Sequence, residues 1–545
     1  MSIDPGLVEM ETMRARVEAF DFPENLGTLI AGCAEKFGDR VAANWFDAGI
    51  ALTYDELHRR SEKIAAGLLK RGYRKGAHIA VMLPNGPEFI LTWFAIAKLG
   101  AVMVPVNTSY KTSELDFVLN QSDAQALFIH SSFVAEFAKM VHRPELLSDE
   151  RVFEISNLAS LEQLEEPDGG LQPGYEIANS DLMSIQYTSG TTGFPKGCML
   201  THDYWITLSY NGANLFESYD ISRFLFWAPM FYMDGQWLFL ASMINGGTAF
   251  LPSKMSLTKF FSWIWQYQIE YTVLPEPVMS AHCVDEKDTE IPLKLVSAFG
   301  WRPAARAEAE ERFNLVARDS FGMTEVGAAI ICPKEAGDKL LSNTCGLAAP
   351  FRQTRVVDED GNEVAPGTSG ELQIRGRSIL LGYYKRPDAN AESFDGDWFR
   401  SGDLFIKDED GYHRIVGRLK EMIKRAGENI SANEVEAVLC EMPQIEEAVA
   451  IAVPDEMRRE EVLVFIKPGV NFNLHDCSPS DIVAHCKKQL AAFKVPRYIT
   501  YVEEFPRTAT RKIAKTKLDL DTCTEPVYDS QNGRCLSNDK AISLF

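Results

Sequence analysis

The stretch Tyr187-Thr188-Ser189-Gly190-Thr191-Thr192-Gly193-Phe194-Pro195-Lys196-Gly197 constrains the fold more than any other part of the chain. It follows Leu182-Met183-Ser184-Ile185, a short apolar run that reads as a buried strand. Glycines interleaved with hydroxyl side chains pack poorly, so the strand must open into a loop. Glycine lets the backbone turn its N–H groups toward a ligand, the hydroxyls add donors, and Lys196 supplies a point charge. Such a loop is an anion cradle suited to phosphate. The G-x-x-x-x-G-K-[ST] spacing of the common P-loop is absent. A flexible surface loop is the alternative for this composition, but the length of the pattern and its place after a strand favour phosphate.

The surrounding chain alternates strands and helices. Thr53 with Glu56 three residues later has capping-box spacing, and predicts a helix running to about Arg71 and stopping at Gly72. His78 to Leu83 reads as a strand, Glu88 to Leu99 as a helix apolar on nearly all sides, and Ala101 to Val106 as a strand. Ser113 to Gln121 (helix) and Ala126 to Ile129 (strand) continue the rhythm, which implies βαβ units on a mainly parallel sheet. After the glycine loop a helix is expected over Asp203 to Asn214. Strands are expected at Phe224 to Trp227, Thr272 to Leu274 and Leu295 to Phe299, and a helix at Ala304 to Phe313. Asp319 to Glu325 reads as a strand end and turn. From about Thr354, strands separated by Asp360-Gly361 and Asp410-Gly411 predict an antiparallel sheet or small barrel.

The expected fold class is therefore α/β. A large domain over 1–417 combines βαβ-type sheets with the small antiparallel sheet. A smaller, mobile α+β domain follows over 418–520, with helices at Ala432 to Glu441 and Pro479 to Leu490 and strands at Glu447 to Val453 and Val462 to Lys467. Residues 521–545 are polar and turn-rich and read as a poorly ordered tail. A chain of 545 residues exceeds what one hydrophobic core supports. Its formal charge of −22 argues against a nucleic-acid partner, so an anionic substrate must be met by a local cluster of donors and cations. The cysteines show neither a C-x-x-C pair nor zinc spacing, which fits a reduced, cytoplasmic setting. Neither a secretory signal nor a membrane span is expected from the sequence. A homodimer is compatible with the sequence but not dictated by it.

Five motifs in order give the chain a strong resemblance, spanning roughly residues 25 to 518, to the adenylate-forming superfamily of acyl-CoA synthetases, luciferases and peptide-synthetase adenylation domains. They are the glycine loop, Phe321-Gly322-Met323-Thr324-Glu325, Ser401-Gly402-Asp403, Gly417-Arg418-Leu419-Lys420-Glu421, and Pro506-Arg507-Thr508-Ala509-Thr510-Arg511-Lys512. The resemblance implies a reaction joining a carboxylate to the α-phosphate of Mg-ATP, with loss of pyrophosphate, then passing the acyl group to the thiol of coenzyme A. Thr188, Ser189, Gly190, Thr191, Thr192 and Lys196 would cradle the β- and γ-phosphates. Glu325 would hold Mg²⁺, with Thr188 as the second residue near the metal; hard cations of this size take one or two carboxylates plus phosphate oxygens. Thr324 would touch the α-phosphate. Phe321, where tyrosine is usual, would stack on adenine beside Gly322 and Met323. Asp403 would accept the ribose hydroxyls, and Arg418 would add a ribose or phosphate contact. Lys512 is the expected catalytic lysine of the first half-reaction, although Arg511 replaces the usual preceding glycine and Lys515 and Lys517 lie close by. Lys420 sits at the family's hinge, and Lys424, Arg425 and Gly427 would line the tunnel for the thiol.

The resemblance also places the acyl pocket at Tyr232 and Asp234 and at Gly300 and Trp301. Trp301 would make the floor bulky, which disfavours a long fatty acid and favours a small, branched, cyclic or betaine-like acid. The N-terminal half resembles the carnitine and crotonobetaine CoA ligases, and Tyr232, Trp301 and Asp234 suggest a cage for a quaternary ammonium. Arg302 pairing with a second carboxylate is the competing idea. The expected enzyme is an AMP-forming acid–thiol ligase. The alternatives are an enzyme that loads a carrier protein and a non-catalytic nucleotide-binding homologue.

Overall fold

The computed structural model describes residues 4–166, 170–188, 195–425, 428–455, 457–469, 478–507, 513–536 and 541. They divide into two compact units, one of residues 1–354, 374–400 and 410–413, the other of 355–373, 401–409 and 414–545.

Two large sheets carry the first unit. In one, the strands Val316–Arg318, Leu295–Ser297, Tyr271–Val273, Arg223–Leu225, Thr248–Phe250 and Val41–Trp45 lie side by side and parallel, and Ile50–Thr53 closes the edge antiparallel. In the other, Val152–Ile155, Ala126–His130, His78–Met82, Val102–Pro105 and Leu182–Thr188 are parallel neighbours. The helix Tyr54–Lys70 starts with the expected box: Thr53 accepts from the Glu56 N–H, and Glu56 accepts from the Thr53 N–H. The helix Pro87–Leu99 buries every residue but Glu88. Helices His202–Ser218 and Met233–Ile244 explain that burial, since Trp93 packs edge-on to Trp205 and Phe94 lies against Phe239.

Between the glycine loop and the helix expected over Asp203 to Asn214 the structure adds a strand. Lys196–Thr201 is a strand, antiparallel to Leu182–Thr188, and the helix begins one residue early at His202 and runs on to Ser218. Cys198 and Leu200 are fully buried, and the strand's other edge pairs with residues 381–384. Thr188 and Lys196, which flank the glycine loop, are thus paired across two antiparallel strands.

The stretch 352–418 supplies the strands Arg352–Val357, Ser369–Gly376, Phe394–Asp395, Trp398–Lys407 and His413–Arg418 of one five-stranded sheet. Gly361 and Gly411, at φ of 85° and 89°, make the two turns read from the sequence.

The second unit is a sheet on Ile445–Asp455, Arg459–Pro468 and Tyr498–Tyr501, with helices Ala432–Leu439 and Pro479–Gln489 closing one core. Residues 523–536 are not the unordered tail expected. Tyr528–Asp529 pairs with Tyr498–Tyr501, Val527 is buried, and the Asp529 carboxylate accepts from Gln531 and Asn532 of its own turn. Polar, turn-rich composition here encodes a hairpin, because Asp529 caps its own turn and Ser530 bonds back to Pro496 and Arg497.

Candidate active site

Thr188 and Lys196 face each other across the hairpin, and the Thr188 hydroxyl donates to the Lys196 carbonyl at 3.5 Å. This pins both ends of the loop at the end of a buried strand. Ser189, Gly190, Thr191 and Thr192 lie outside the described residues, so the cradle is known here by its two posts.

Glu325 sits in the turn between the strands Ser320–Met323 and Gly327–Ile331, and is only 7% exposed. A buried carboxylate needs partners. The Tyr383 hydroxyl donates to Glu325 Oε1 at 3.0 Å, and the Leu380 N–H donates to the Glu325 carbonyl at 2.7 Å. Behind the turn, Arg352, itself 4% exposed, gives Nε and Nη2 to the Val326 carbonyl at 2.9 and 2.7 Å. Burial among carbonyls lowers this guanidinium to about 10. Tyr204 donates to the Thr324 carbonyl at 2.9 Å. The turn bearing Thr324 and Glu325 is therefore held from three sides.

The hairpin and this turn meet at Cys198. Burial, then the Glu325 charge, push its thiol well above the usual range. Lys196 Nζ lies 4.8 Å over the ring of Tyr383, whose own hydroxyl is raised by burial and by Glu325. The backbone explains the meeting: Met199 N–H donates to Gly382, Leu381 N–H to Met199, and Tyr384 N–H to Gly197, at 2.8–2.9 Å. Thr188, Lys196 and Glu325 are thus brought together, while Cys198, Tyr383 and Arg352 were missed. The single sequence cue for them was the Leu381-Gly382-Tyr383-Tyr384 run, which reads as an apolar turn. A hydroxyl and a carboxylate sharing one neighbour form a hard-oxygen donor set that fits Mg²⁺ completed by phosphate oxygens. Among the described residues no three His, Cys, Asp or Glu side chains converge as an all-protein cage.

Phe321, Met323 and Thr324 are half-buried and Gly322 is exposed. A Cβ on Gly322 would come within 2.7 Å of the Gly327 carbonyl, so only glycine allows this strand crossing. Asp319 ties the segment to Gly300: its carboxylate accepts from the Ser320 N–H at 2.8 Å and the Gly300 N–H at 3.2 Å. Burial raises it to about 6.

Trp301 does not form a cage. It is 2% exposed, packs in a core with Phe261, Ile264 and Ala305, and donates its indole N–H to the Leu274 carbonyl at 3.0 Å. A ring so enclosed cannot offer a face to a cation. Arg302 is committed as well, bonded to Glu276 at 2.6–2.7 Å. Tyr232 is half-buried, accepts from Asn107 Nδ2 at 3.0 Å, and has its hydroxyl pushed up to about 12 by burial. Asp234, in the first turn of its helix, accepts from Trp237. Amide side chains fix the segment before Tyr232: half-buried Asn85 bonds to Ala228 and Met230, and buried Gln236 donates to the Met230 carbonyl. Asn85 lies in the bend before the helix Pro87–Leu99 and Gln236 in the helix Met233–Ile244, and neither position marks a tertiary contact in the sequence.

In the second unit Asp403 is 2% exposed and accepts from Arg418 Nε at 3.0 Å. Gly402, just before it within the strand Trp398–Lys407, takes a left-handed φ of 70°. Lys420 lies in the short turn Leu419–Glu421, and its side chain is outside the described residues, as are Gly427 and Lys512. Lys424 Nζ reaches Glu359 at 3.4 Å. Arg425 turns inward to a fully buried Glu461, with bonds of 2.6 and 3.1 Å, and to the Phe493 carbonyl. Its guanidinium is thereby used within the unit, which corrects its placement in a thiol tunnel. Lys515 is likewise held by Glu421 and Glu436 at 3.0 and 2.8 Å. The segment 508–512 is closed at its base by a bridge between Arg507 and Ile513.

The sequence pattern of AMP-binding enzymes matches residues 31–384, and that of the AMP-binding enzyme C-terminal domain matches 434–512. A 2-succinylbenzoate–CoA ligase of Oceanobacillus iheyensis is 31% identical over 481 residues, covering 87% of this chain and 95% of the relative. A feruloyl-CoA synthase of an Amycolatopsis species is 30% identical over 482 residues, covering 86% and 93%. In fold the chain is similar to the O-succinylbenzoate coenzyme A synthetase of Bacillus subtilis, solved with ATP and a magnesium ion. The TM-score is 0.77 at 23% identity, over 91% of this chain and 100% of that one. The chain belongs to the AMP-binding enzyme family.

Proposed function

We propose that this protein is an AMP-forming acyl-CoA ligase, which activates a carboxylic acid with Mg-ATP and transfers the acyl group to coenzyme A. The observation that carries the reading is the meeting of Thr188, Lys196 and Glu325 around Cys198 and Tyr383. Two anions must approach each other in the first step, so oriented donors and cations at the phosphates are what the chemistry needs. In this reading Thr188 to Lys196 cradle the terminal phosphates, Glu325 and Thr188 hold Mg²⁺, Thr324 touches the α-phosphate and Phe321 stacks on adenine. Asp403, one oxygen fixed by Arg418, takes the ribose hydroxyls, as a carboxylate suits a vicinal diol. Lys512 bridges carboxylate and α-phosphate. The commitment of Lys515 to two glutamates supports Lys512 over its neighbour. The relatives' names, 2-succinylbenzoate and feruloyl, support a small or cyclic acid; the enclosure of Trp301 removes the support for a betaine cage, and the pairing of Arg302 with Glu276 removes Arg302 as the partner of a second carboxylate. The surface charge suits a cytoplasmic enzyme without a nucleic-acid partner.

The test is one assay with ATP, Mg²⁺ and a panel of acids, with and without CoA, following AMP and thioester. Thioester formation that needs both acid and CoA is expected. Pyrophosphate exchange without thioester would point to a carrier-protein loader. Neither activity with any acid would leave a nucleotide-binding homologue. Lys512→Ala should abolish adenylation and spare thioester formation from supplied acyl-adenylate; equal loss of both would refute its role.

A further inference from the structure

Glu325 reaches its place by a contact that no motif of the chain encodes. Its carboxylate is buried, and the hydroxyl of Tyr383 donates to Oε1 at 3.0 Å. The same ring lies under the Lys196 ammonium, 4.8 Å from its centroid. Tyr383 is itself 5% exposed, and its backbone is clamped against the hairpin strand Lys196–Thr201 at Cys198. The Leu381 N–H, the Gly382 carbonyl and the Tyr384 N–H lie in that clamp, and Asn390 bonds to Tyr383 N–H and carbonyl from the other side. The phenol therefore has one position, set by backbone on both sides. Its two faces of chemistry go to different groups: the O–H to the carboxylate, the π-cloud to the lysine.

We propose that Tyr383 is a positioning residue for the metal and phosphate site, orienting Glu325 through its hydroxyl and Lys196 through its ring. The proposal rests on the reading of Glu325 as the Mg²⁺ carboxylate. A free carboxylate has two equivalent oxygens and rotates about its last bond. The phenol bonded to Oε1 fixes that rotation, and with it the direction in which the Glu325 carboxylate faces. Outer-shell partners of this kind hold ligand orientation, and their loss weakens metal binding by about tenfold to a hundredfold. The ring contact is separable, because phenylalanine keeps the aromatic face and leucine does not.

Binding of Mn²⁺, as the probe ion, to the enzyme–ATP complex can be read by electron paramagnetic resonance with no acid present. Metal-free ATP binding can be read by calorimetry in chelator. Tyr383→Phe should weaken Mn²⁺ binding about tenfold or more and leave metal-free ATP binding within twofold. Tyr383→Leu should weaken both. In Glu325→Gln, adding Tyr383→Phe should cost nothing further. Unchanged Mn²⁺ affinity in a folded Tyr383→Phe, beside a clear loss in Glu325→Gln, would overturn the proposal alone. So would a Tyr383→Phe that weakens metal-free ATP binding as much as metal binding, since that is the mark of a general packing defect. Unchanged Mn²⁺ affinity in Glu325→Gln would instead overturn the metal role of Glu325, and the proposal with it.

Discussion

Replacing Trp301 separates two roles that the sequence could not. The ring is enclosed at 2% exposure among Phe261, Ile264 and Ala305, and its N–H is bonded to the Leu274 carbonyl. Trp301→Ala removes a large buried side chain, and such changes cost about 3–5 kcal/mol because the cavity left behind collapses only in part. Trp301→Phe keeps most of the apolar volume but strands a buried carbonyl, a loss of about 1–3 kcal/mol. The expected order is therefore wild type, then Phe, then Ala, read from urea unfolding followed by circular dichroism. The preference among acids, measured as relative thioester formation in Trp301→Phe, should hardly move, because the ring is enclosed in the core. A Trp301→Ala protein that stays within about 1 kcal/mol of wild type and accepts longer acids would refute this, and would return the ring to the pocket floor.

Three further outcomes follow from buried polar groups. Lys98 is 6% exposed, donates to His58 Nδ1 and the His58 carbonyl at 2.8 and 2.6 Å, and is lowered by burial to about 7. Its charge opposes folding below that value, and between about 7 and the ordinary lysine range the unfolded chain binds the extra proton, so stability rises with pH. Lys98→Met should therefore gain most over wild type at pH 6, and the gain should shrink by on the order of 3 kcal/mol by pH 10; a gain that does not change with pH would exclude a buried charge. Glu461, fully buried, pairs with Arg425 and with Arg458 and Arg497. Glu461→Gln should cost the second unit about 3–5 kcal/mol, visible as faster hydrogen exchange in Arg459–Pro468. Thr53→Ala should cost about 0.5–2 kcal/mol by loss of the cap, and Thr53→Ser should restore it in thermal unfolding; no recovery would mean the cap is not the cause.

Legibility in the sequence followed the range of the interactions. The start of the helix at Tyr54 depends on Thr53 and Glu56 alone, and was readable. The helix Pro87–Leu99 was readable because burial on all sides leaves an unbroken apolar run. The strand Lys196–Thr201 was not, since one of its edges is satisfied by residues 381–384, almost two hundred positions away. Shorter separations, 58 positions for Tyr383 and 26 for Arg352, were enough to hide the residues behind Glu325 and Val326. For Trp301 and Arg425 the residue type was read correctly and the direction was not. A tryptophan beside a pocket segment can face either way, and an arginine in a basic run can turn toward a buried carboxylate.

The hairpin of residues 528–535 has a consequence for how far the chain can be shortened. It supplies the hydrogen bonds along one side of Tyr498–Tyr501, a strand otherwise made of Tyr, Ile, Thr and Tyr beside the buried Val502. Cutting the chain at 520 would leave that strand as a bare, β-prone sheet edge with no charge or proline to guard it, the kind of surface on which chains assemble edge to edge. A shortened protein should then be limited by aggregation well before it is limited by catalysis, and light scattering during expression trials would show it first.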